Sequence, residues 1–160
     1  MSQTLLDAAR QTYETAISHS ESIDAKAGSL IGYSGIIATF IGFLLETKFV
    51  TISDGYKFLI PYGVALSVLS IVCALIVLVP WRKTRYVLDI RKFVKDSITN
   101  HLNDEQYQII SAINDYMDLA EETMKNNSVN AVILYIGNIL LGIGVFISFW
   151  AIFIGWFVPK

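Results

Sequence analysis

Charge is what this chain has least of. Of its 160 residues only 16% are Asp, Glu, Lys or Arg, while 54% are hydrophobic. In a soluble domain about a quarter of residues carry charge, so this composition excludes an ordinary water-soluble fold and indicates a small integral membrane protein. Cysteine is nearly missing as well. Cys73 stands alone inside an apolar run, which rules out an intrachain disulfide, gives no sign of an oxidising compartment or a metal, and reads as a small packing residue. Histidine occurs twice, His19 and His101, neither with a Cys or His at ligand spacing, so no metal site is expected. There is no Gly-rich phosphate loop after a strand, no Ser-His-Asp pattern and no strand scaffold to mount one, so neither an enzyme nor a cofactor is expected. A net charge of −2 argues against a nucleic-acid partner. The first 27 residues carry no basic segment followed by an apolar one, so no cleavable signal peptide is expected and the first span acts as its own signal.

What the chain does have is three long uncharged runs. Residues 28–45 form an 18-residue run that reaches about 27 Å as a helix, enough for a hydrocarbon core of about 30 Å. Residues 58–79 form a second run and 129–158 a third, the last so long that it must tilt or begin outside the lipid. The expected fold is therefore an all-α integral membrane protein of three transmembrane helices with cytoplasmic helical extensions. Its order is an amphipathic helix over 1–27 that runs straight into span 28–45, an outer loop over 46–57 with the turn pair Asp54-Gly55, and span 58–79. A cytoplasmic helical hairpin over 80–128, span 129–158 and an outer C-terminus at 159–160 complete it.

Within the hairpin, Asn103 caps a helix with Gln106 at the reciprocal position. That helix gathers Asp115, Asp118, Glu121 and Glu122, which the fold of the hairpin sets opposite the basic end of the second span. Asn126-Asn127-Ser128 either interrupts it or sits at the membrane surface, two readings between which the sequence does not choose. Trp81 fits the headgroup level at one edge, and Trp150, Trp156 and Phe157 fit the outer leaflet.

Orientation follows from one cluster. Arg82, Lys83, Arg85, Arg91, Lys92 and Lys95 place six cations just after the second span, which by the positive-inside rule makes that side cytoplasmic, together with the N-terminus. Nine of the twelve Lys and Arg residues then lie inside, and Lys48, Lys57 and Lys160 outside.

Small residues recur at helical spacing in every span. Gly28, Gly32, Gly35, Thr39 and Gly42 share a face in the first, Gly63, Ser67, Ser70 and Ala74 in the second, and Gly137, Gly144 and Ser148 in the third. In lipid, where no hydrophobic effect drives helices together, small residues let backbones approach closely, so these faces are expected to be the helix-packing seams. Glu21, Asp24 and Lys26 head the first span. They form an ordinary solvated surface with a snorkelling lysine, or a polar mouth facing Arg82, Lys83 and Arg85. Tyr135 and Asn138 are the most polar intramembrane candidates, with an interhelical hydrogen bond the simpler account. No ionisable side chain lies inside a span, which disfavours an ion-coupled carrier.

The stretch Glu21, Asp24, Ala25, Lys26, Ala27, followed at once by a glycine-bearing span, resembles the leading motif of small prokaryotic membrane effectors. These are the Pycsar-type transmembrane effectors and the related two-span effector domains that accompany nucleotide second-messenger synthases in antiphage defence. The order of parts is similar as well. The resemblance implies a protein that a cyclic-nucleotide ligand makes oligomerise and that then impairs the inner membrane, with Asp24 and Lys26 on motif positions. The chain departs from that picture in having no recognisable nucleotide-binding segment in its small cytoplasmic part. Two functions are thus expected: a self-associating effector that perturbs or permeates the bilayer, or an accessory or scaffold subunit whose cytoplasmic helices dock a partner.

Overall fold

The computed structural model describes residues 2–46, 59–79 and 105–157. All three elements in these ranges are helices: α1 (Ser2–Glu46), α2 (Leu59–Leu78) and α3 (Glu105–Phe157). Each is long and apolar enough to cross a membrane. Of the loop expected over 46–57, Glu46 is the last residue of α1, while 47–57, the basic cluster after the second span, Trp81, and the turn and cap at His101 and Asn103 lie outside the described residues.

Proline sets the limits of α2. Pro61 falls in the first turn, where its missing N–H costs nothing because the first four amides of a helix have no partner within it. At the other end Val79 is already out of the helix, as befits a residue ahead of Pro80, whose ring crowds the α conformation of its predecessor. Neither α1 nor α3 contains a proline, and they run for 45 and 53 residues. These lengths correspond to about 68 and 80 Å, more than twice a hydrocarbon core, so a large part of each helix extends beyond the lipid. Charge marks which part: Lys26 is the last charge in α1 before Glu46, and none follows Lys125 in α3. Asn126-Asn127-Ser128 does not interrupt α3, which is helical through it.

The chain divides into two compact units. The first comprises Met1–Ile23 and Val79–Asn130. Its described core is a helix pair in which Ala9, Tyr13 and Ala16 of α1 and Ala120, Thr123, Asn127 and Asn130 of α3 are buried. The rings of Tyr13 and Tyr116 meet at 5.8 Å, tilted by 49°. On the exposed side Arg10 donates to Glu14 at 2.9 Å, a pair one helical turn apart.

The second unit comprises Asp24–Leu78 and Ala131–Lys160. It is a three-helix bundle whose directions follow from its contacts. Leu30 of α1 lies by Gly137 of α3, and the rings of Phe40 and Phe149 stack at 6.3 Å, so α1 and α3 run parallel. Gly63 of α2 lies by Ser148 and Cys73 by Gly137, so α2 runs the other way. Ile41, Ile60 and Ala151 close one end, with Ile37 and Leu59 packed on them. Large apolar side chains such as Ile36, Val68, Leu75, Ile143 and Phe146 point outward. In water such a surface would aggregate, whereas in a bilayer it faces its solvent.

Five hydroxyls of this unit bond to their own helix backbone. Ser29, Ser34, Thr39, Ser67 and Ser148 each donate to the carbonyl four residues earlier at 2.8–3.0 Å, the usual way a helix accommodates Ser or Thr away from water.

Candidate functional site

The candidate site is the set of small-residue faces along the bundle, and a seven-residue repeat decides where each face points. In α2 the buried positions are Ile60, Gly63, Ser67, Ser70, Ala74 and Val77. In α3 the buried row runs through Ala120, Thr123, Asn127, Asn130, Leu134, Gly137, Leu141, Gly144, Ser148 and Ala151, with Ile152 buried beside its end. Both rows alternate steps of three and four, the spacing that keeps one face of a helix against a partner in a left-handed bundle.

The structure brings the small residues of α2 and α3 together. A Cβ added to Gly63 would lie 2.7 Å from the carbonyl oxygen of Gly144 and clash with Ser148 Oγ. A Cβ on Gly144 would lie 2.7 Å from the Gly63 carbonyl oxygen and 3.1 Å from Ser67 Oγ. Backbone therefore meets backbone here, and only glycine fits at either position. At Gly137 the approach is looser, since an added Cβ would stand 3.1 Å from Cys73 Cβ and from Leu30 Cδ2. Ser70 is fully buried and its hydroxyl has no hydrogen-bond partner.

The structure does not bring the α1 glycines into this contact. Gly28, Gly32, Gly35, Thr39 and Gly42 are exposed, and a Cβ on any of the four glycines would meet nothing within 4 Å. Within the chain α1 packs instead through Ala27, Leu30, Ser34 and Ile41. Ala27, Ser34 and Ile41 each precede a glycine of the open face by one residue, a rotation of about 100° around the helix, and Leu30 precedes Gly32 by two. Two faces with the same repeat thus lie side by side on α1, one used inside the chain and one open. Beside the open glycines stand large exposed side chains, Tyr33, Ile36, Phe40 and Phe43, so this flank alternates ridge and hollow.

Among the polar candidates, Glu21 and Lys26 are exposed and Asp24 is half-buried, while Arg82, Lys83 and Arg85 lie outside the described residues. Tyr135 is exposed. The Asn138 amide donates to the Leu134 carbonyl at 3.1 Å, a bond within its own helix. No group of three or more His, Cys, Asp or Glu among the described residues is arranged to hold a metal ion.

With this geometry in place, one comparison with known proteins is decisive: the model of the Pycsar effector protein domain matches residues 8–158. The chain belongs to that family. No curated protein and no solved structure gives a further match. As a Pycsar effector domain built of three membrane-crossing helices, the chain is a multi-pass membrane protein and a membrane effector of antiphage defence.

Sequence reasoning read Asn127 of this Pycsar effector domain only as part of a helix break or a membrane-surface segment, and passed over Asn130. Asn127 and Asn130 are buried, and Asn127 Nδ2 donates across to the Ala16 carbonyl at 2.8 Å. The signal was present in the spacing. Asn127 stands seven residues before Leu134 and fourteen before Leu141, and Asn130 seven before Gly137 and fourteen before Gly144, so both continue the row that the third span carries into the lipid.

Proposed function

We propose that this effector acts by self-association through the open glycine face of α1, and that the assembly perturbs or permeates the inner membrane without catalysis. The observation that carries the reading is the difference between the helices. The small residues of α2 and α3 are consumed inside the chain, while Gly28, Gly32, Gly35 and Gly42 have nothing within 4 Å of an added Cβ. A glycine face flanked by Tyr33, Ile36 and Phe40 suits a second copy, because close backbone approach and van der Waals contact drive helix association in lipid. Glu21 heads this face and stays exposed at its polar end. The absence of Asp, Glu, Lys, Arg and His from the three long runs favours disruption by an apolar assembly over an ion-selective pore, which is normally lined by charge or carbonyls. The N-terminus and the basic cluster beginning at Arg82 are taken as cytoplasmic on the positive-inside rule. A cyclic nucleotide is the trigger that the family implies.

The test is expression of the full chain in cells carrying a potential-sensitive dye, beside the variant Gly35→Ile, Gly42→Ile. Open space at both positions leaves the monomer fold intact. The parent is expected to depolarise the membrane on induction and to migrate as an oligomer on detergent sizing, and the variant to do neither. Full polarisation and normal growth with the parent under every inducing condition would remove the effector reading. An unchanged oligomer in the variant would remove the glycine face from it.

A further inference from the structure

The first unit contains an arrangement that membrane disruption does not explain. Its helix seam is apolar or small at Ala9, Ala16 and Ala120, yet two consecutive seam positions of α3 are Asn127 and Asn130, only 7% and 5% exposed. Thr123, just before them, is satisfied within its own helix, donating to the Leu119 carbonyl at 2.6 Å. The two amides are not. Asn127 Nδ2 reaches the Ala16 carbonyl on the other helix, a bond between residues 111 apart in sequence. The Oδ1 atoms of Asn127 and Asn130 are buried and accept no hydrogen bond. A buried acceptor without a donor loses its hydration for no return, so it destabilises the closed pair relative to an open one in which water reaches the oxygen. Asparagine at a seam position is also the residue type that fixes helix register, because any slip breaks its cross-helix bond.

We propose that Asn127 and Asn130 form a built-in weak layer in the α1–α3 pair of this unit: Asn127 holds the register through Ala16, and the two unsatisfied oxygens keep the closed pair easy for water to open. The device concerns the closed state of a single chain and does not depend on how, or whether, copies assemble. Replacing Asn130 with an aliphatic residue removes one orphan oxygen and breaks no cross-helix bond. Replacing Asn127 removes the tie as well.

The experiment uses the full chain in nanodiscs, with two aliphatic sizes at position 130 so that crowding cannot hide the effect. In Asn130→Val or Asn130→Leu the unfolding midpoint is expected to rise by about 2–4 °C or more, and amide exchange over residues 8–23 and 119–130 to slow. Exchange over 60–77 should not change. For register, spin labels on exposed Ser18 and Lys125 in a Cys73→Ser background should give one narrow distance in the parent and a broadened or split distribution in Asn127→Leu. Midpoints unchanged or lowered in both position-130 variants would overturn the weak layer, and a distance as narrow in Asn127→Leu as in the parent would overturn the register tie. Both readouts are blind to membrane depolarisation, so they fail or succeed separately from the effector mechanism.

Discussion

Gly63→Ala is the substitution for which the structure gives the clearest magnitude. Its Cβ would lie 2.7 Å from the Gly144 carbonyl oxygen and would also strike Ser148 Oγ. An acceptable carbon-to-oxygen contact is about 3.3–3.6 Å, so something must retreat by roughly 0.6–0.9 Å. The serine hydroxyl can turn away at the loss of its 2.9 Å bond to the Gly144 carbonyl. The carbonyl cannot, since it belongs to the α3 backbone, and α2 and α3 have to separate. Overpacking of this kind costs about 1–3 kcal/mol, and the backbone origin places it in the upper part of that range. For a soluble chain of this size each kcal/mol lowers the unfolding midpoint by about 2–4 °C. That gives a drop of about 4–12 °C, and since in detergent the helices persist after unfolding and the entropy change is smaller, the drop should be at least about 4 °C, the low end. The assay is thermal unfolding of the purified chain in mild detergent, with Gly142→Ala as the control, because a Cβ there meets nothing within 4 Å. Adding Ser148→Ala should rescue only a minor part. The reasoning fails if Gly63→Ala unfolds at the same temperature as Gly142→Ala, or if Ser148→Ala restores it completely.

Gly137→Ala should cost less than Gly63→Ala in the same assay, because its nearest neighbours stand at 3.1 Å rather than 2.7 Å and one of them, Leu30 Cδ2, ends a flexible side chain, while Cys73 Cβ is held by the α2 backbone. Tyr13→Ala removes a buried ring packed at a tilt against Tyr116 and should destabilise the chain by about 2–4 kcal/mol, measured by denaturant unfolding. Arg10→Ala breaks an ion pair whose side chains are both more than half exposed, and the midpoint should move by no more than the equivalent of about 0.5 kcal/mol. Gly35→Cys in a Cys73→Ser background should cross-link between copies under mild oxidation, while Ile143→Cys on the exposed side of α3 should not.

The three spans were legible in the sequence because absence of charge over eighteen or more residues has no common meaning except lipid. The packing faces were legible only where two signals coincide. In α2 and α3 the smallest residues and the seven-residue repeat fall on one face, Gly63 and Gly144 being members of both. In α1 they part by one or two residues: the repeat through Ala27, Leu30, Ser34 and Ile41 packs inside the chain, while the glycines beside it stay open. Residue size alone therefore selects a face without saying whether the partner is the same chain. Asn126-Asn127-Ser128 was ambiguous because asparagine favours turns when it is read locally. Tertiary packing overrode that preference, as it does for a residue whose side chain finds a bond across the seam.

The self-directed bonds of Ser29, Ser34, Thr39, Ser67 and Ser148 carry a consequence for biogenesis. Each hydroxyl is satisfied by the helix that bears it, so those side chains need no neighbour before they leave the translocon. The helices can be released into the bilayer one at a time and dock afterwards, which separates manufacture of the chain from the moment at which its parts first touch.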